Sequence, residues 1–194
     1  MTHHHTRTDL GLLALRAGVG GTIFAHGAQK LFGWFGGHGI AATAGAMESM
    51  GFRPGRRSAV LAGLGEVAGG AGLALGLGTP VAGAASAATM TTAAVVHRPA
   101  GFFAMSGGYE YTAMLATAGS ALAVAGPGRY SLDHVLGNRL NRPWMATVAL
   151  TALGAAAAHV ITQRDKAVAA AAAAQQTSDA EQVAHAEQAE TTGA

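Results

Sequence analysis

The strongest constraint on this chain is a series of long segments that hold almost no charge. A bilayer's hydrocarbon core takes about 20 apolar residues of helix. Five segments approach or exceed that length: Asp9 to Phe35, Ser58 to Leu77, Pro80 to His97, Tyr109 to Ala125 and Trp144 to Thr162. The first carries Arg16, His26 and Lys30, the second only Glu66, and the third and fifth contain no Asp, Glu, Lys or Arg. Residues that stop helices or favour an interface separate them, among them Gly78-Thr79-Pro80, Arg98-Pro99, Gly126-Pro127-Gly128 and Arg142-Pro143-Trp144. A soluble bundle would need a polar stripe along each helix, and the third and fifth segments offer only Ser, Thr and His for one. The expected fold is therefore all-α: a polytopic membrane bundle of four core transmembrane helices plus a fifth.

Composition supports this reading. Half the residues are hydrophobic and 11% are charged, where an ordinary soluble domain carries about 25%. In lipid, helices are not driven together by the hydrophobic effect, so small residues that let backbones approach become the adhesive surface. The second segment has Gly65 and Gly69 in GxxxG spacing, with Ala68, Gly72 and Gly76 repeating every four residues. The chain has no cysteine, which excludes disulfides, thiolate metal sites and a thiol relay within it. Its net charge is +2, and its basic residues lie between apolar runs and form no stripe, which argues against nucleic acid. The Gly-rich runs lack the strand and Lys-Ser/Thr of a phosphate loop. No paired spacing marks a metal site, and nothing marks a haem, flavin or nucleotide site.

The flanks divide the chain further. Residues 1–8 are polar, with His3, His4 and His5 in a run, and read as a flexible terminus. Residues 36–56 read as a Gly-rich loop and a short interfacial helix through Ile40, Met47, Met50 and Phe52. Residues 9–137 form the four-helix membrane domain and 138–163 the fifth span. Residues 164–194 form an Ala/Gln/Glu-rich exposed tail, helical in part or disordered.

Counting crossings gathers the polar residues. The end of the first span, the start of the second, the end of the third and the start of the fourth share one membrane face. His26, Lys30, Glu66, His97, Tyr109, Glu110 and Tyr111 all fall towards it, with Glu66 about 12 Å deep at 1.5 Å per residue. Arg16 lies towards the opposite face. A carboxylate inside a bilayer faces the bundle interior, pairs, or stays protonated. Glu66 is thus either part of a proton-handling or ligand-binding cluster, with His26 and His97 as candidate partners and Lys30 or Arg16 as others, or a polar clamp between helices. Taken singly, the two histidines read as interfacial, Glu110 as a carboxylate favoured at a helix N-terminus, and Tyr109 and Tyr111 as belt residues.

The chain resembles the DoxX family of small bacterial membrane proteins. The resemblance rests on His26-Gly27 with Lys30-Leu31-Phe32-Gly33, on Glu66, on His97 with Gly101-Phe102-Phe103, on Gly107-Gly108-Tyr109-Glu110-Tyr111, and on Gly126 to Asp133. It runs from about residue 9 to residue 137 and implies a four-helix bundle in the bacterial plasma membrane. Some members are subunits of a thiosulfate:quinone oxidoreductase. Others accompany oxidative-stress and sulfur-transfer enzymes at the membrane. The fifth segment with its tail and the Ala/Gly-rich interior depart from the family pattern.

Two functions follow as expectations. One is a subunit of a membrane oxidoreductase that binds a quinone: Glu66, His97 and His26 would handle protons, and Tyr109, Glu110, Tyr111 and Lys30 would hold the head group. The other is a non-enzymatic anchor for soluble redox or sulfur-transfer enzymes, built on the loops and the tail. A solute carrier has less support, because no span is broken. Membrane lipid, protein partners of a redox complex and a second copy of the chain are the expected partners.

Overall fold

A single glycine spacing sets the packing of the two central helices. The computed structural model describes the backbone of residues 2–192 and the side chains of 6–186 and 188; the side chains of the His3–His5 run lie outside the described residues. Its helices are α1 (Thr2–Phe32), α2 (Gly39–Ser49), α3 (Gly55–Leu75), α4 (Thr79–His97), α5 (Glu110–Ala125), the short α6 (Leu132–Val135) and α7 (Pro143–Thr192). No strand occurs among the described residues. Helix α1 begins at Thr2, so the polar terminus is its first turns.

Helices α1 and α3 run antiparallel and share the largest contact in the molecule. Gly20 faces Gly70 and Ala74, while Gly27 faces Gly63, Glu66 and Val67. Both helices space these glycines seven residues apart, two helical turns, so the small residues meet in register. A methyl group at Gly27 would lie 2.7 Å from Val67 N and 2.8 Å from Gly63 O, so only glycine fits. On its other side α3 presents Gly65, Gly69 and Gly72 to Thr89, Ser86 and Ala82 of α4. The GxxxG stripe seen in the sequence thus binds α3 to α4, while a second stripe binds α3 to α1. Helix α4 also packs on α5, where Gly83 meets Gly119, and on α7.

The buried and exposed sides of these helices suit lipid. The buried residues of α3 are Gly55, Ala59, Gly63, Glu66, Gly69, Gly70 and Leu73, whereas Leu61, Leu64 and Leu75 point outward and are more than half exposed. Small residues inside and large aliphatic ones outside invert the arrangement of a water-soluble core. Among the described residues larger apolar side chains gather in two small clusters, Ile23 with Met90 and Leu115, and Leu73 with Ala82 and Leu122.

Among the described residues three helical stretches are long and apolar enough to cross a membrane: Thr6–Phe32, Gly55–Leu75 and Pro143–Ala186. Helices α4 and α5, at 19 and 16 residues, are shorter. Helix α7 differs from the expected boundary at residue 163: it continues unbroken for 50 residues. Its sequence past Arg164 is rich in Ala and holds no Gly or Pro up to Thr192, so nothing in the chain ends it.

Candidate functional site

The polar residues collect at two ends of the bundle, and the ends differ. At the C-terminal end of α1, Lys30 reaches across to α3. Its Nζ donates to both oxygens of Glu66, at 2.9 and 2.6 Å. The Glu66 side chain is 3% exposed and that of Lys30 is 27% exposed, so the pair joins a buried carboxylate to an ammonium that still meets solvent. Gly27 makes this possible, because its missing side chain brings α1 onto α3 beside Glu66. One turn before Lys30, on the same face of α1, His26 Nε2 is hydrogen-bonded to Tyr111 Oη of α5 at 3.2 Å. Their rings meet edge to face at 5.8 Å.

An open cavity of about 450 Å³ lies between this end of α1 and the short helix α2. Its polar wall includes His26, Gln29, Lys30 and His38, and α2 contributes Thr43, Ala46, Met47 and Met50 on the other side. The chain reaches α2 through a tight Gly-rich turn in which Gly33, Phe35, Gly36 and Gly39 all take left-handed backbone angles. Gly37 sits against Gln29 where no side chain would fit. The turn folds α2 back over α1, and Thr43 Oγ1 donates to the Lys30 carbonyl at 3.3 Å.

His97 and Glu110 belong to the same end but build a neighbouring feature. His97 Nδ1 donates to the Gly107 carbonyl at 2.9 Å, and Glu110 Oε2 accepts from Ala104 N at 3.0 Å. Tyr109 stacks edge to face on Phe102, at 5.4 Å between rings. These residues close the loop 98–109 and leave Phe103 and Met105 exposed at its tip. Of the residues expected around Glu66, the structure brings Lys30 to it and puts His26 with Tyr111 beside the cavity. It places His97, Tyr109 and Glu110 in the loop.

At the opposite end the buried charges Arg16 and Asp133 meet main chain. Arg16 is fully buried and donates to the carbonyls of Leu73 and Ala74, at 3.3 Å each, and to that of Tyr130. The Leu73 and Ala74 carbonyls belong to the last turn of α3, where the helix dipole favours a cation. Gly76 ends α3 in a left-handed turn, with Leu77 N donating to Gly72 O and Gly76 N to Leu73 O. Its missing Cβ leaves room for the Arg16 guanidinium. Asp133, also fully buried, accepts from Gly78 N, Thr79 N and Thr79 Oγ1 at 2.8 to 2.9 Å and so caps α4. Further out, Asp9 of α1 accepts from Arg129 N at 3.0 Å and Arg129 Nε at 2.6 Å. That bond and charge raise the Arg129 guanidinium above its ordinary pKa.

Sequence reasoning missed three parts of this geometry. His38 and the α2 wall face the cavity only because of the Gly-rich turn. Asp133 caps a helix that begins 54 residues earlier. Arg164 of α7 donates from Nε to the Met50 carbonyl at 3.0 Å, with its guanidinium 6.0 Å from the centre of the Phe52 ring. The signal for the first was the His26–Lys30 spacing beside a short amphipathic helix; the other two carry no local signal. Among the described residues no group of three or more His, Asp and Glu side chains is placed to hold a metal ion.

Residues 11–99 match the model of the DoxX family. The matched stretch holds α1 from its third turn through the end of α4, and with it Arg16, His26, Lys30, Glu66 and His97. It stops short of residues 107–133, through which the resemblance was expected to run. Neither a curated relative nor a solved structure matches the chain.

Proposed function

We propose that this DoxX family membrane protein is a multi-pass subunit of a redox complex in the bacterial plasma membrane, and that it binds a quinone head group in the cavity between α1 and α2. The observation that carries this reading is Lys30, which lines an open cavity of about 450 Å³ while its ammonium holds the buried Glu66 carboxylate. The residues fit such a group. Lys30, His26, His38 and Gln29 supply donors for carbonyl oxygens on one side, and Ala46, Met47 and Met50 supply an apolar wall for a ring on the other. A bound quinone supplies a two-electron, two-proton acceptor, and the electrons reach it from a partner subunit.

The chain's own part is binding and proton handling. Lys30 donates towards the cavity and holds the Glu66 carboxylate behind it. Glu66 keeps a cation at the site and takes up a proton when Lys30 releases its bond. His26, steadied by Tyr111, offers a second exchangeable proton. The position of the donors at the C-terminal end of α1 keeps them close to the membrane surface, where protons are available.

Titration of the purified chain with a short-chain quinone analogue, followed by calorimetry, tests this. A charge-assisted hydrogen bond is worth roughly 1.5–3 kcal/mol, so Lys30→Met and Glu66→Gln are each expected to weaken binding by about tenfold or more. Unchanged affinity in both variants overturns the reading.

Helix α7 favours a second reading, an anchor for soluble redox or sulfur-transfer enzymes. Residues 165–192 continue the helix about 42 Å past Arg164 at 1.5 Å per residue. Under this reading, truncation after Gln163 abolishes co-purification of partner proteins while Glu66→Gln preserves it. The reverse result excludes it.

A further inference from the structure

Between α5 and α7, the chain neither crosses the bundle nor leaves it. Residues 126–142 fold against the end that holds Arg16 and Asp133, and they are pinned there by Asp9–Arg129 and by Asp133. Despite this anchoring, they leave large apolar side chains uncovered. Val135 is 78% exposed, and Tyr130, Leu132, Leu136 and Leu140 are exposed by two fifths or more. Trp144, 61% exposed, follows at the start of α7. Exposed arginines interrupt this apolar surface at positions 129, 139 and 142.

A pocket of about 380 Å³ opens in the same segment. It is lined by Arg129, His134, Asn138 and Asn141, with Asp9 beside Arg129 and with Ala125 and Pro127 at its apolar edge. The Asp9 carboxylate is bonded to Arg129 N and Nε, so it orients the arginine. Asn141 Nδ2 donates to Asn138 Oδ1 at 3.4 Å, and both amides stay at the pocket wall.

A polar pocket rich in donors, set in an apolar surface at the rim of a membrane bundle, matches an amphiphile whose anionic head lies next to its own acyl chains. Arginine binds phosphate through its planar fork, and an interfacial Trp marks headgroup depth. We propose that this pocket binds the phosphate of an anionic phospholipid, with Arg129, His134 and Asn138 at the headgroup and Val135, Leu136 and Trp144 along the acyl chains.

The test uses the full chain as Trp34→Phe, in which Trp144 is the only remaining tryptophan. It is reconstituted into phosphatidylcholine vesicles with increasing mole fractions of brominated phosphatidylglycerol, and Trp144 fluorescence is read. A basic group near a membrane surface favours an anionic lipid by roughly fivefold. Half-maximal quenching is therefore expected at about a fivefold lower mole fraction of brominated phosphatidylglycerol than of brominated phosphatidylcholine. Asn138 has a left-handed backbone, φ 55°, which glycine also adopts. Asn138→Gly thus removes the amide at constant charge, and it is expected to abolish most of the preference, as is His134→Ala. Three outcomes overturn the proposal: equal quenching by the two lipids, a preference untouched by Asn138→Gly (which assigns it to diffuse surface charge), and loss of the preference to competing inorganic phosphate (which assigns the pocket to a free anion).

Discussion

The two ends of the bundle handle a buried charge in opposite ways. At the Arg16–Asp133 end, both charged side chains are fully buried and bonded to backbone that must turn there. The arginine holds the last turn of α3, and the aspartate holds the first turn of α4. At the Lys30–Glu66 end, the carboxylate is buried as deeply, but its cation opens onto a cavity. The first arrangement resists change because its partners are main-chain groups and the buried Thr79 hydroxyl. The second can exchange its partner for a ligand or for water. Buried charge in a membrane bundle is therefore structural where it meets backbone, and available for chemistry where one partner stays mobile.

The largest expected effect follows from the closed end. Asp133→Ala leaves two buried backbone N–H groups and the Thr79 hydroxyl without their acceptor, and loss of about 3 kcal/mol or more is expected. Thermal unfolding in detergent, followed by circular dichroism, measures it. If Asp133→Ala unfolds no earlier than the natural chain, the contrast between the ends fails. Next comes the glycine seam. Gly27→Ala places a methyl against the α3 backbone, and a loss of about 1–3 kcal/mol is expected. Because the same seam brings Lys30 to Glu66, quinone-analogue affinity should fall with it. A destabilised variant with full affinity would separate the seam from the site.

Glu66→Gln is expected to cost less, about 1 kcal/mol, because the Lys30 ammonium can turn towards the cavity's water. In the same unfolding assay it should rank well below Asp133→Ala, and a ranking the other way would make Glu66 a clamp. The smallest effect is expected from Asp9→Asn, since its partner Arg129 is exposed. The midpoint should move little, and any shift should fade as salt is raised. The absence of cysteine gives a direct check on the two ends themselves. Single cysteines at His38 and at Tyr130 should react with an impermeant maleimide from opposite sides of sealed vesicles. Labelling of both from one side breaks the comparison at its root.

The sequence carried the order of the helices and the gathering of polar residues better than it carried their pairing or the reach of α7. Counting crossings was enough to put His26, Lys30, Glu66 and Tyr111 at one end and Arg16 at the other. It does not choose among partners, because that depends on a rise of one or two residues between antiparallel helices. The seven-residue spacing of Gly20 and Gly27 against Gly63 and Gly70 held that register, and it set Lys30 rather than His97 beside Glu66. The GxxxG stripe at Gly65 and Gly69 was legible, but not the helix it faces. The short helix of the α2 wall was legible, but not its fold back over α1, because glycines with left-handed angles leave no periodic trace. Asp133 was legible only as part of the Gly126–Asp133 motif, since a cap supplied from 54 residues away has no local pattern.

One consequence of α7 reaches the cavity. Arg164 ties this helix to the Met50 carbonyl, and Met50 lines the cavity. The stretch beyond Arg164 is thus a lever whose pivot touches the cavity wall. A tilt at its far tip would be felt first at Met50.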